Sequence, residues 1–462
     1  MKITQQSRKR HWYVLTALLV VVVVAAATTF WWLHNGRYAL GRWGWHPDQT
    51  QLLPSMHDAP EIGWRASTLT FAIPIANGSA PTIAASNVPG APKPLIGSVG
   101  NNAYFLAVSA RGDDTDWWLV GIDTGSGNAL FDAIALSTGD RAPECRLNGP
   151  TRILCIDRSR DDNALILDLA SGSVIYRGPS GLRSQAPQLS LKSAGNYAIA
   201  TEDGRGIYGI GDHAETTWFI PGSGTPQETS YDPAHPDRPV LSSQPDANPR
   251  VWNSTVYSVT DGKVISLSDQ EDADIRRIAF YPGGFGANLA DPGDQVSFFD
   301  ETGRQVARVD GQVSGGGSLL GLPSIKVDES DNVTIFSPGG DRLLTVPDLP
   351  RVRVGTTLFL MENGTREFPE WRQYDLKTGA KGPVCDFPMH RLLGTDGSAL
   401  VFETTNRQAG RLASARDMAT CADLWVLPAE PNSLQRIWRI GSNLIQLSAD
   451  GTELSSLVPP RQ

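Results

Sequence analysis

Short apolar runs separated by clusters of Gly, Asp, Asn and Ser occupy most of the chain. Ala103–Ser109, Trp117–Asp123, Ala164–Leu169, Val256–Val259, Val296–Asp300, Asn332–Phe336, Thr357–Met361 and Asn443–Ser448 are rich in Val, Ile, Leu, Tyr, Phe and Trp. Each has strand length and stops at a turn signal, and little in residues 61–462 sustains a helical period. The pattern predicts an all-β body. The N-terminus reads differently. Trp12–Leu33 is a run of 22 positions without formal charge, and about 20 apolar residues cross a bilayer core as a helix. Trp12 and Tyr13 stand at one end and Phe30, Trp31 and Trp32 at the other, as interfacial aromatics do, and Arg8-Lys9-Arg10 precede the run. Basic flanks stay in the cytoplasm. The expected order is a cytoplasmic tail (1–11), a transmembrane signal-anchor helix (12–33), a juxtamembrane stalk (34–60) and an extracytoplasmic domain (61–462). A signal peptide cleaved near Ala25-Ala26-Ala27 is the alternative. The aromatic belt at 30–32 favours the anchor.

One turn pattern recurs in the body: an apolar strand, an Asp, a Thr or Ser, then Gly. It reads Leu119-Val-Gly-Ile-Asp-Thr-Gly125, Leu165-Ile-Leu-Asp-Leu-Ala-Ser-Gly172, Val296-Ser-Phe-Phe-Asp-Glu-Thr-Gly303 and Trp371-Arg-Gln-Tyr-Asp-Leu-Lys-Thr-Gly379, with looser copies ending at Gly262 and Gly451. Asp bonds its own backbone to start such a turn, and Gly accepts the positive φ that other residues resist. The glycines are 47, 90, 41, 76 and 72 positions apart, one or two units of about 40 residues, the size of a four-stranded propeller blade. The expected fold is a β-propeller of eight four-stranded blades, with seven as the alternative count. Gly63–Pro74 is placed to close the ring against the C-terminal hairpin.

The Asp168–Gly172 and Asp375–Gly379 turns resemble the repeats of the pyrroloquinoline-quinone (PQQ)-like propeller superfamily, and the likeness runs through most of residues 95–460. Some members of that superfamily are quinoprotein dehydrogenases; others hold no cofactor and act as scaffolds in the bacterial envelope. The dehydrogenases typically place two adjacent cysteines near the quinone, and this chain has no adjacent cysteines. No calcium-binding set aligns either, so no cofactor is expected.

Charge narrows the partners. Residues 1–33 hold four bases and no acid, so the remainder carries −13 against −9 for the whole chain. An acidic body argues against nucleic acid, whose binding needs cationic surface. Cys145, Cys155, Cys385 and Cys421 are even in number in an exported domain, which favours disulfides over zinc. Three pairings are open. Cys145–Cys155 and Cys385–Cys421 are preferred as local pairs, each inside one repeat unit. Gly204-Arg-Gly206-Ile-Tyr-Gly209 fits a dinucleotide fingerprint in letters but runs into a strand rather than a helix. No nucleophile stands beside a histidine, and no G-x-S-x-G occurs. The expected role is a membrane-tethered, non-enzymatic module binding an envelope protein or polymer. The alternative is an enzyme, or a sensor of a small molecule or saccharide, using the central channel.

Overall fold

The computed structural model describes residues 36–47, 51–75, 79–86, 93–112, 114–157, 163–183, 189–227, 241–248, 253–267, 274–290, 294–314, 321–364, 369–404, 410–431 and 433–461. The predicted span at 12–33 lies outside them. Among the described residues no helix is long and apolar enough to cross a membrane.

Among the described residues the body is all-β and consists of nine antiparallel sheets, here blades 1 to 9 in chain order. Eight contain a run of four neighbouring strands, the number of four-stranded blades expected. Blade 1 (82–138) adds a fifth, short strand. The ninth sheet, blade 4, takes the total one beyond the eight blades expected. It shows two strands, Leu241–Pro245 and Ser254–Ser258, among the described residues. A bond from Gln227 N–H to Ser243 O and a bridge between Tyr257 and Val264 mark the positions on either side of that pair. Its strand near Val256–Val259 and its turn at Gly262 are both readable in the sequence; the count falls one short because the turns at Ala214 and Cys421 lack glycine and escape the spacing.

The core is divided. Nine buried apolar clusters occur, and each fills the seam between two successive blades. The seam between blades 9 and 1 joins Ile440, Ile445, Leu447 and Leu454 to Phe105, Ala107, Val120 and Ile122. That contact makes the array a closed ring. Second and third strands read as unbroken apolar runs because both faces are covered, as in Ala399–Phe402 and Leu358–Leu360. Fourth strands alternate, as in Gln305–Asp310, because one face meets water. Each fully buried Leu, Ile or Phe contributes about 1.5–3 kcal/mol relative to exposure.

Blade 9 completes itself with the beginning of the domain. Glu61–Ser67 pairs antiparallel with Glu453–Val458, Ile62 opposite Leu457 and Ala66 opposite Leu454. The strand closing the ring is therefore Glu61–Ser67, slightly ahead of the Gly63–Pro74 stretch expected.

Before that strand the chain does not stand free as a stalk. Helix α1 (Arg37–Gly44) lies on the outer strand of blade 6. Trp45 is buried in the seam between blades 6 and 7. Leu53 and Met56 are buried in the seam between blades 8 and 9. Main-chain bonds fix the path: Leu53 N–H donates to Thr395 O at 2.8 Å, Met56 N–H to Asp396 Oδ2 at 2.6 Å, and Trp425 Nε1–H to Met56 O at 2.8 Å. The segment is a strap over four blades.

Candidate functional site

The repeated turn sits between the third and fourth strand of a blade. Eight blades have one, and in each a single residue takes a left-handed conformation: Gly127, Gly172, Ala214, Gly262, Gly303, Gly340, Gly379 and Cys421, roughly 40 positions apart. In most of them the N–H of the left-handed residue donates back to the carbonyl that opens the turn, as Gly172 does to Asp168 at 2.9 Å and Cys421 to Asp417 at 2.9 Å. Two corrections follow. Gly125 is not the left-handed position of its turn. Its N–H bonds Asp123 Oδ1 at 2.9 Å, and Gly127, two residues on, carries the positive φ because the turn closes over five residues. Gly451 has positive φ but lies in the second-to-third connection of blade 9, where Gly451 N–H donates to Ser448 O at 3.1 Å.

These turns are the contacts between blades. A Cβ on Gly127 would meet the Trp64 ring of blade 9 at 2.5 Å, one on Gly172 Phe131 of blade 1 at 2.4 Å, one on Gly262 Trp218 of blade 3 at 2.5 Å, and one on Gly340 Ala307 of blade 5 at 2.6 Å. These four turns seat on the outermost strand, or the residues beside it, of the preceding blade, whereas a Cβ on Gly379 would meet the Arg42 guanidinium of the strap. At the seam between blades 7 and 8 the contact is covalent, because Cys421 occupies the left-handed position and bonds Cys385 in the outer strand of blade 7. Both preferred disulfides are present. Cys145–Cys155 links directly opposed residues of neighbouring strands within blade 2. Cys385–Cys421 joins two blades rather than lying inside one unit, because the seam, not the sequence unit, brings the turn to the neighbouring strand.

Hydrogen bonds hold several of the turn carboxylates below the ordinary carboxylate range. Hydrogen bonds from the hydroxyl and N–H of Thr302, with Arg304, lower the Asp300 pKa to about 2. Asp168 is lowered by the N–H and hydroxyl of Ser171, and Asp417 by the hydroxyl and N–H of Thr420. Burial pushes the Tyr104 and Tyr257 phenols up to about 12. These shifts belong to turn and core geometry and do not converge on one place.

The innermost strands differ from the rest of the molecule in charge. First strands of successive blades approach one another around the axis, as Leu95–Val99 and Ser190–Ala194 each do with Glu144–Leu147. Among the described first strands lie Arg146, Lys192, Arg276, Arg277, Arg351, Arg353, Arg436 and Arg439, against the single carboxylate Glu144. Lys192, Arg276 and Arg277 are exposed. Arg277 Nη1 reaches Gln312 Oε1 of the next blade at 3.2 Å. Arg353 and Arg439 turn back on their own hairpins and donate to Gly355 O at 3.1 Å and Gly441 O at 3.0 Å. Arg351 is buried; desolvation lowers its pKa, and Asp348, 2.9 Å from Nη1, opposes that. Sequence reading missed this set, although Arg353-Val-Gly355 and Arg439-Ile-Gly441 share a spelling that was there to be found.

Other candidates do not assemble. A cavity of about 230 Å³ beside Asn148, Arg152, Tyr197 and Asp212 falls below the volume of ordinary ligand pockets. A shallow depression of about 450 Å³ beside Arg205, Tyr208 and Phe219 covers the outside of one blade. Among the described residues no three His, Cys, Asp or Glu converge as metal ligands. The Gly204–Gly209 stretch is a turn followed by the strand Gly206–Ile210, which is why no helix cradles a phosphate there.

A ring of nine sheets, packed seam to seam and closed by the strand Glu61–Ser67, defines a nine-bladed propeller. The chain belongs to the family described as the conjugation-associated 9-bladed β-propeller domain, whose model matches residues 38–460. It is 32% identical over 442 residues to an uncharacterised protein of Mycolicibacterium smegmatis, covering 91% of this chain and 89% of that one. Among solved structures it is similar to BamB from Moraxella catarrhalis (13% identity, 79% of this chain and 85% of that one, TM-score 0.22). It is also similar to a europium-containing methanol dehydrogenase (12%, 86% and 87%, TM-score 0.32). At those identities and scores the two likenesses carry nothing about function.

Proposed function

We propose that this protein is a membrane-tethered, extracytoplasmic propeller that binds an envelope protein or polymer without transforming it, as one part of a conjugation-associated assembly. The family supplies the setting. The observation that carries the binding reading is the contrast between eight cations and one carboxylate on the described first strands and a net charge of −9 for the chain. Like-signed groups around an axis focus a field there, and an acidic partner segment is complementary to it. The acidic exterior keeps anionic polymers such as nucleic acid off the rest of the surface.

The test is crosslinking of the full-length protein in its native membranes, followed by solubilisation and capture. A partner with an acidic contact segment is expected, and its yield should fall several-fold in an Arg276→Glu, Arg277→Glu variant, whose changed residues are exposed. Capture of nothing, or equal capture by the variant, would count against the proposal.

A further inference from the structure

Helix α1 has two opposite sides with different fates. On one side Tyr38 Oη bonds Thr345 Oγ1 at 2.8 Å. Arg42 Nε donates to Leu343 O at 2.6 Å, and its Nη1 to Thr378 O at 2.9 Å. Gly41 lets the helix approach blade 6, since a Cβ there would meet Arg342 O at 2.6 Å. The other side carries Leu40, 57% exposed, and Trp43, 83% exposed. Three positions apart, they share one helix face. Scattered exposed aliphatics such as Val174 also occur on outer strands, and singly they need no explanation. Trp43 is different in size, in degree of exposure and in position along the chain.

We propose that the Leu40–Trp43 face of α1 seats in the lipid interface, so that the ring meets the membrane by its rim at blade 6. The inference rests on the anchor reading of residues 12–33. Arg37, the first helical residue, follows Leu33 by four positions. Four extended residues reach at most about 14 Å, and the polar layer beside the hydrocarbon is itself roughly 5–8 Å deep. The helix cannot leave the neighbourhood of the bilayer surface. Tryptophan favours that layer, and short amphipathic helices lie in it with the apolar side down. Because the opposite side is fixed to blade 6, insertion of α1 sets the orientation of the whole propeller. Both loop-bearing faces, and the openings of the channel, then remain accessible from the side.

All four cysteines of the chain are paired, so a single added cysteine can be labelled selectively. Full-length protein carrying Leu40→Cys or, on blade 2 across the ring, Val174→Cys is labelled with an environment-sensitive fluorophore. It is then reconstituted into phosphatidylcholine vesicles containing a spin-labelled lipid. The label at position 40 should be quenched by the lipid several-fold more than the label at 174, and should be shielded from aqueous iodide. Adding Trp43→Ala should raise iodide access at position 40 while thermal unfolding stays unchanged, since Trp43 contributes little buried area. Equal lipid quenching at both positions, in protein that resists alkaline extraction from the vesicles, would overturn the rim orientation alone. Release of the protein by alkaline extraction would instead overturn the anchor, and the orientation with it.

Discussion

Blades 6 to 9 and blades 3 to 5 are built from the same kind of sheet but are joined differently. In the first group the strap adds Trp45 to one seam and Leu53 and Met56 to another, and a disulfide crosses the seam between. The second group has neither device. Among the described residues the seam between blades 3 and 4 holds Ile199, Ile207, Ile220, Tyr257 and Val259. The ring thus has a reinforced arc where the chain enters and an arc without those two devices across from it. In an array where each unit touches only its neighbours, stability is a sum of units and interfaces. Opening is therefore expected first in blades 3 to 5.

The sharpest way to break the contrast is to remove the strap's largest anchor. Trp45 is buried, and its ring faces Lys377 with Nζ 5.5 Å from the centroid. Trp45→Ala should cost about 3–5 kcal/mol at that seam. Hydrogen exchange should accelerate in Leu343–Val346 and Leu358–Leu360 toward the level of blades 3 to 5, with blade 3 itself unchanged. If protection in blade 6 does not move, the strap is decoration rather than reinforcement.

Next in size is the covalent seam. The chain-entropy account gives about 4 kcal/mol for a loop the length of Cys385–Cys421 and about 3 kcal/mol for Cys145–Cys155, whose sequence separations are 36 and 10. Cys385→Ser with Cys421→Ser should lower the urea midpoint further than the same change at 145 and 155. It should also raise exchange on both sides of the seam between blades 7 and 8. Loss confined to one blade would contradict the interblade role.

How much of this was legible beforehand follows from what each device needs locally. Asp–Gly turns are local chemistry, so Gly172, Gly303 and Gly379 announce blades from sequence alone. Ala214 and Cys421 do the same work without glycine, and Gly340 follows a Ser337 rather than an Asp at the turn's start. Those three substitutions hid the spacing and lowered the blade count. The disulfide pairing was readable from proximity, but its crossing of a seam was not, since which strand a turn rests on is a property of the ring. The strap was misread because Pro-rich, aromatic sequence between a span and a domain looks like a linker. Only the seams it fills reveal its docking. The cations of the first strands lie several units apart in sequence and meet only around the axis.

A smaller effect concerns Ala214, which holds φ 55 where seven other turns have glycine or a bridged cysteine. Left-handed backbone costs a non-glycine residue about 1 kcal/mol, so Ala214→Gly should stabilise blade 3 by up to that amount. Gly172→Ala on the other side should destabilise by more, because the added Cβ would strike Phe131 at 2.4 Å. Thermal unfolding of the two variants should move in opposite directions. A loss of stability in Ala214→Gly would mean that the methyl's packing against Leu182 and its neighbours in the seam between blades 2 and 3 outweighs the backbone strain.

The smallest expected effect tests whether the turns also tune the ring by pH. Asp300 has a folded pKa lowered to about 2 by the hydroxyl of Thr302 and by further bonds from Arg304 and the Thr302 N–H. Its unfolded value is about 3.9. A depressed folded pKa means that the ionised form is favoured by folding, so the contribution is present above about pH 4 and disappears as pH falls toward 2. Asp300→Asn should therefore narrow the stability gap between pH 5 and pH 2.5 relative to the parent chain, with little change in the slope above pH 5. Because Asp300 lies in blade 5, acid should loosen the arc without the strap before the strapped one. Equal acid sensitivity of exchange in blades 5 and 8 would show that the lowered turn carboxylates Asp300 and Asp417, and not the strap, govern where the ring opens at low pH.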